Sequence, residues 1–348
     1  MLILGFALIA LVLMIFLLSI WEERLIKQKE QESILNIPEG WQIISKGENF
    51  ISMAEQDDII WGGGRNGVFK FDRKTGEVLE KLDFCQEVVY VTSLLIDCDD
   101  KLWVSYEGGV VTWDGNKFEY FNQDNVLPDN RANYIMQDSQ DRIWVGTWGG
   151  VAIFNGVSWT VMTEEDGLAD NMVNIIFEDS YGGMWFGSYI IRDKAISVLK
   201  DNNWQYFTME TGLPNNNVTS ILELKNNTVL VGTGFYNRGG AAGFVLQDGD
   251  WVLDFTLDEN DGLAGEKVRS LYQDNLGNIW FGSEFDGIAI KDSKGNYTVI
   301  TEEDGLSHDE VLSILQDMDG DLWLGTLDGI TRLDETYLKS LQLDPFLK

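Results

Sequence analysis

From about residue 50 onward, short apolar runs alternate with polar turns along the chain. Runs such as Val173–Glu178 and Val311–Gln316 are the length of strands and too short for helices. Each is followed by an acidic tight turn, as at Asp138–Asp141, Asp179–Gly182, Asp274–Gly277 and Asp317–Gly320. A second strand then carries tryptophan, as in Ile143–Gly146. A Gly-rich turn follows (Gly149 and Gly150, Asp286 and Gly287, Asp328 and Gly329), then a third strand such as Val151–Phe154. A fourth strand opens near Trp159, Trp204 or Trp251. The unit closes on a polar loop: Glu165–Asn171, Glu210–Asn216, Asn260–Glu266 or Glu303–Asp309. The acidic turns are read as hairpins in which Asp accepts backbone N–H bonds.

The tryptophans give the period. Trp61, Trp103, Trp144, Trp185, Trp280 and Trp323 are separated by 42, 41, 41, 95 and 43 residues. The long interval holds two units, because Leu230–Thr233 stands where Trp144–Thr147 stands elsewhere. Seven units of four short strands, each about 40–45 residues, predict an all-β fold, a seven-bladed β-propeller. The seventh unit lacks a fourth strand of its own. Gly40–Ile44 resembles the fourth strand Asn203–Phe207, so a strand at residues 41–44 is expected to close the ring and remove two sheet edges. The propeller is thus expected over residues 39–334, with 335–348 as a C-terminal tail. Tyr337, Leu338, Leu341 and Leu343 would pack that tail on the ring as a short strand or helix.

Residues 1–20 break the pattern, being uncharged and almost wholly apolar. Twenty residues of helix rise about 30 Å, the thickness of a bilayer core. With no basic residue before the run and no small-x-small cleavage site, an uncleaved single transmembrane anchor is expected over residues 1–20. A polar stalk over residues 21–38 follows. Arg24, Lys27 and Lys29 leave the side of the membrane open.

The net charge of −32 disfavours nucleic acid as a partner. Cys85 and Cys98 flank a strand predicted over Val88–Ile96, which would hold them apart as free thiols. No metal or cofactor is expected. Asp317, Asp319 and Asp321 suggest a calcium loop, but Leu322 and Asp328 stand where an EF-hand needs Gly and Glu, so a hairpin turn is preferred.

The repeat, Asp-x-x-Gly-x-hydrophobic-Trp-hydrophobic-Gly-Thr and then Asp-Gly-Leu-Pro-x-Asn, resembles the two-component regulator propeller family. It is carried by Asp179–Gly187, Asp274–Gly282, Asp317–Thr326 and Gly212–Val218. That family supplies sensor regions of membrane histidine kinases, including hybrid ones. The resemblance spans about Asn49–Asp334 and implies an extracytoplasmic bacterial propeller that senses or docks something. The sequence carries no kinase motifs, and its single histidine, His308, falls in a turn.

Candidate chemistry is sought on the face that carries the second-to-third-strand turns and the polar loops, by analogy with other propellers. Two of those turns read as long loops, Ser188–Asp193 and Thr233–Ala241. They carry Tyr189, Arg192, Phe235, Tyr236, Asn237 and Arg238, with Trp148 and Phe285 in adjacent blades. Aromatics beside Arg and Asn can stack on and hydrogen-bond a sugar or anchor a protein; alternatively they pack the loops together. Arg131 and Arg269, at the starts of inner strands, either take an anionic group or pair with neighbouring acids. The repeated tryptophans are assigned to the blade core. No catalytic residue is assigned.

The reading is a membrane-anchored, ligand-binding propeller for an extracellular glycan or other small molecule, without an output domain and not an enzyme. A membrane-tethered protein-interaction scaffold, with a membrane-protein or signalling partner, is the alternative. A polysaccharide lyase or hydrolase ranks below both.

Overall fold

The computed structural model describes residues 37–189, 194–236 and 238–341. Seven four-stranded antiparallel sheets follow one another in chain order. Their inner strands are Ser52–Gln56, Val91–Ile96, Ala132–Gln137, Val173–Glu178, Val218–Glu223, Val268–Gln273 and Val311–Gln316. They number the blades one to seven. In blades one to six the four strands are consecutive. In blade seven the outer strand is Trp41–Ile44, paired antiparallel with Gly329–Leu333 in the register Trp41–Leu333 to Ile44–Ile330. The anchor expected over residues 1–20 lies outside the described residues, among which no helix is long and apolar enough to cross a membrane.

The tryptophan period has a chemical cause. In five blades an aspartate opens the first turn, and the second-strand tryptophan six residues later donates its indole N–H to it. The distances are 2.6 Å for Trp103 to Asp97, 2.7 Å for Trp144 to Asp138 and 2.8 Å for Trp185 to Asp179. They are 2.9 Å for Trp280 to Asp274 and 2.8 Å for Trp323 to Asp317. The other carboxylate oxygen accepts turn N–H groups, from Tyr181 and Gly183 at Asp179 and from Asp319 and Asp321 at Asp317. One buried side chain therefore satisfies the turn and the ring at once. The tryptophans are blade core: Trp185, Trp280 and Trp323 are fully buried. Asp317 is spent as a clamp rather than as a calcium ligand, and no group of metal-ligating side chains occurs among the described residues.

Hydrogen bonds join neighbouring blades at both ends of the inner strands. Near one end, Thr92 donates to Ala132 O (2.6 Å), Asn133 to Val173 O (3.0 Å), Asn174 to Val218 O (3.0 Å) and Ser270 to Val311 O (3.0 Å). At the other, the last inner-strand residue of one blade accepts from the first turn of the blade before it. Glu178 accepts from Ser139 N and Glu223 from Ser180 N, while Gln316 accepts from Asn275 N. Blades one and seven are held by Arg73, which is buried and pairs with Glu55, Asp58 and Asp319.

Two expectations need correction, the start of one strand and the loop over Thr233–Ala241. The strand placed at Val88–Ile96 starts at Val91, after Tyr90 takes a left-handed φ of 53°. Both cysteines are free, as expected, and exposed. The loop expected over Thr233–Ala241 is instead a tall hairpin, in which Thr233 pairs with Gly240, Gly234 with Gly239 and Phe235 with Arg238. Its glycines read as loop but serve close approach. A Cβ on Gly239 would lie 2.4 Å from the backbone oxygens of Glu266 and Thr233, and Gly240 sits at φ 136°. The tail forms a helix, α1, over Glu335–Leu341. Leu338 is buried, and the Tyr337 ring meets Trp41 edge-on at 5.2 Å.

Candidate functional site

Second-to-third-strand turns and inter-blade loops share one face because they bond to each other. Gly150 N donates to Asn171 O (2.8 Å), Gly234 N to Asn217 O (3.0 Å) and Gly287 N to Asp309 O (2.9 Å). The recurrent polar loops are single turns of 3₁₀ helix. In the first, Thr163 N donates to the Asp166 carboxylate at 2.9 Å, Gly167 exits at φ 119° and Leu168 is buried. The Asp-Gly-Leu sequence is thus a cap, a left-handed exit and a hydrophobic plug. The same construction follows Thr208, Asp258 and Thr301.

On this rigid base the structure brings four predicted residues into one row across blades three to five. Trp148 and Tyr189 stack with centroids 5.7 Å apart and planes 18° from parallel. Tyr189 meets Phe235 edge-on at 6.3 Å, and Phe235 meets Tyr236 at 4.4 Å. Tyr189 is fixed by its N–H bond to Met172 O, and Phe235 by the hairpin rung. Tyr236, at the tip, is 75% exposed. Arg131 extends the row: its guanidinium lies 3.9 Å over the Trp148 ring and pairs with Glu107 at 3.0 Å.

The other described candidates, Phe285, Arg269 and Arg238, are not part of this row. Arg192 and Asn237 lie outside the described residues. Phe285 is 61% exposed in blade six, with the Lys267 ammonium 4.8 Å over its ring. Arg269 lies 3.9 Å from Glu284 and 3.8 Å from Glu310, and Lys267 pairs with Glu284 at 2.8 Å. Burial pushes the Glu310 carboxyl above its usual range, against the pull of Arg269. Arg131 and Arg269 are thus both engaged by acids. Lys267, Glu284 and Glu310 escaped the sequence reading, although two basic residues two positions apart, Lys267 and Arg269, in so acidic a chain were a signal.

Arg238 lines a cavity of about 350 Å³ in blade five, between the tall hairpin, the end of the outer strand Asp250–Leu257 and the flanking loops. Thr256, Asp258 and Glu266 also line it. Nothing in the sequence drew these residues together.

Five segments, residues 126–149, 167–189, 212–235, 262–285 and 305–328, match the family described as "Two component regulator propeller". Each match runs from an inter-blade loop through the inner and second strands. No curated protein sequence matches the chain. Among solved structures, the extracellular domain of a hybrid two-component system from B. thetaiotaomicron superposes with TM-score 0.74 at 19% identity. The match covers 88% of this chain and 43% of that one. A second such domain from the same organism gives 0.67 at 16%, covering 84% and 42%. This chain therefore spans less than half the length of those two proteins. A catalytically inactive virginiamycin B lyase variant from Staphylococcus aureus gives 0.65 at 13%, covering 84% and 98%. At these identities the likeness is one of fold. Five of the seven blades are two-component regulator propeller repeats, and the chain is a propeller of that repeat family.

Proposed function

We propose that the chain is a sensor propeller, anchored to the membrane by residues 1–20, whose ring faces outward and binds an extracellular small molecule, a glycan in the first instance. The observation that supports this is the row Trp148–Tyr189–Phe235–Tyr236. It is held by backbone bonds and ends in a tyrosine that is 75% exposed, its ring edge-on to Phe235 and otherwise open to solvent. Aromatic faces beside fixed polar groups suit sugar rings, whose C–H faces stack while hydroxyls find donors and acceptors. The lyase likeness allows chemistry on this fold. The proposal is nevertheless a binding protein: the one histidine, His308, accepts the Glu310 N–H through Nδ1 at 2.8 Å, and its Nε2 lies 3.9 Å from Glu302. A membrane-tethered protein-docking role is the second reading, favoured by the exposure of Phe285.

The test is titration of the full chain with a panel of oligosaccharides, read by intrinsic tryptophan fluorescence. A binding sugar is expected to lose at least tenfold in affinity in Trp148→Ala and again in Tyr236→Ala, about 1.4 kcal/mol each. Unchanged affinity in the double variant overturns the assignment. Deleting residues 1–20 is expected to move the chain from membrane to soluble fraction.

A further inference from the structure

We propose that the blade-five cavity is a second, independent site, for a small zwitterion of the α-amino acid class. It is separate from the aromatic row: Arg238 leaves the hairpin tip that carries Tyr236 and lines the cavity together with Glu266 and Asp258. Its volume, about 350 Å³, sits at the small end of ligand pockets, so the occupant is the size of an amino acid or dipeptide.

The charges define the class. Asp258 is already committed, because its side chain caps the following 3₁₀ turn by accepting the Asn260 N–H at 2.7 Å. Arg238 and Glu266 have no ion-pair partner among the described residues, although both line the same space. A ligand with a single charge would cover one of these groups and strip water from the other without replacing it, which is unfavourable. A ligand with a carboxylate and an ammonium on one carbon satisfies both. The carboxylate takes the guanidinium fork and the ammonium takes the Glu266 carboxylate. The rest of the wall is compact. Gly212 and Gly239 carry no side chain, Pro214 offers no N–H, and Leu257 and Thr256 add an apolar and a hydroxyl surface.

Blade five is the only blade among the described residues in which the second-to-third hairpin rises beyond the Thr–Gly rung. That rung is Thr147–Gly150 in blade three and Thr326–Gly329 in blade seven, each the last of its ladder. In blade five Thr233–Gly240 is followed by two more rungs, and the second of them places Arg238. The cavity therefore depends on a feature the repeat does not require.

The experiment is calorimetric titration of the full chain with the twenty free amino acids, and then, for those that bind, with the methyl ester and the N-acetyl form of the same amino acid. Binding of at least one free amino acid is expected, with both blocked forms at least tenfold weaker. Arg238→Met should erase the preference for the free acid over its ester. Glu266→Gln should erase the preference over the N-acetyl form. Both positions are exposed, so folding should persist, checked by a cooperative melt. Trp148→Ala should leave amino-acid binding unchanged, which separates this site from the sugar reading. Binding by none of the twenty, or equal binding of the N-acetyl form and the free acid by the parent, overturns the proposal.

Discussion

Blades four and five have the same strand order and nearly the same ladder, yet hold their first turns by opposite chemistry. In blade four Asp179 and Trp185 form a charged clamp. In blade five Leu224 and Leu230 occupy the same two positions, six residues apart, and both are buried. The turn backbone is retained: Leu224 N donates to Thr228 O at 2.8 Å, as Asp179 N does to Gly183 O at 2.9 Å. The two partners are replaced together because either alone would bury an unsatisfied polar group. Aromatic bulk comes instead from Trp251 on the outer strand, which donates its indole N–H to Asp179 of the neighbouring blade at 3.1 Å. Asp179 thus serves two tryptophans from two blades. The clamp is thus a module that can be exchanged whole, and the blade that exchanged it also carries the tall hairpin and the cavity.

The strongest way to break this comparison is to exchange half a module. Asp179→Leu strands two indole N–H groups and two turn N–H groups, and should cost about 3–5 kcal/mol in urea unfolding. A loss below about 1 kcal/mol would show that the clamp is ornamental. A double-mutant cycle sharpens the point in blade six. Asp274→Leu and Trp280→Leu should each destabilise, and the double variant should be less harmed than the sum, by a coupling of about 1–2 kcal/mol. Simple additivity would mean that the pair does not act as a unit.

Acid separates the two kinds of turn. Burial opposes ionisation of Asp138, but hydrogen bonds from Trp144 and Arg142 outweigh it and hold its carboxyl below the usual range. A depressed carboxylate contributes stability that is present above its unfolded pKa, about 3.9, and lost as pH falls through the folded value. Melting of the parent should therefore fall steeply below about pH 4, and Asp138→Asn should flatten that fall while lowering stability at neutral pH. An unchanged slope would exclude Asp138 from the acid response. The smallest effect is expected at the hairpin tip: Tyr236→Ser should change unfolding free energy by less than about 0.5 kcal/mol, since the ring is 75% exposed. A larger loss would make Tyr236 a structural residue and weaken its candidacy in binding.

The repeat and the ring are legible in the chain alone. The tryptophan spacing, the acidic turns and the Asp-Gly-Leu loops each name a local solution: an indole clamp, an Asx turn, a capped 3₁₀ turn with a left-handed exit. Local hydrogen bonds enforce such patterns, so they survive in one dimension, and even the missing tryptophan of blade five was legible from Leu230–Thr233. The sequence also singled out the aromatics of the exposed face, because they stand where the repeat calls for small turn residues. Tertiary structure decided the rest. The hairpin over Thr233–Ala241 was misread because glycine signals loops and close approach alike, and only Glu266, brought in from another loop, distinguishes them. The engagement of Arg131 by Glu107 and of Arg269 by Glu284 and Glu310 joins residues from different strands or blades. So does the meeting of Arg238 with Glu266 around one cavity. These contacts depend on how the ring places one loop beside the next, and no periodicity along the chain records that distance.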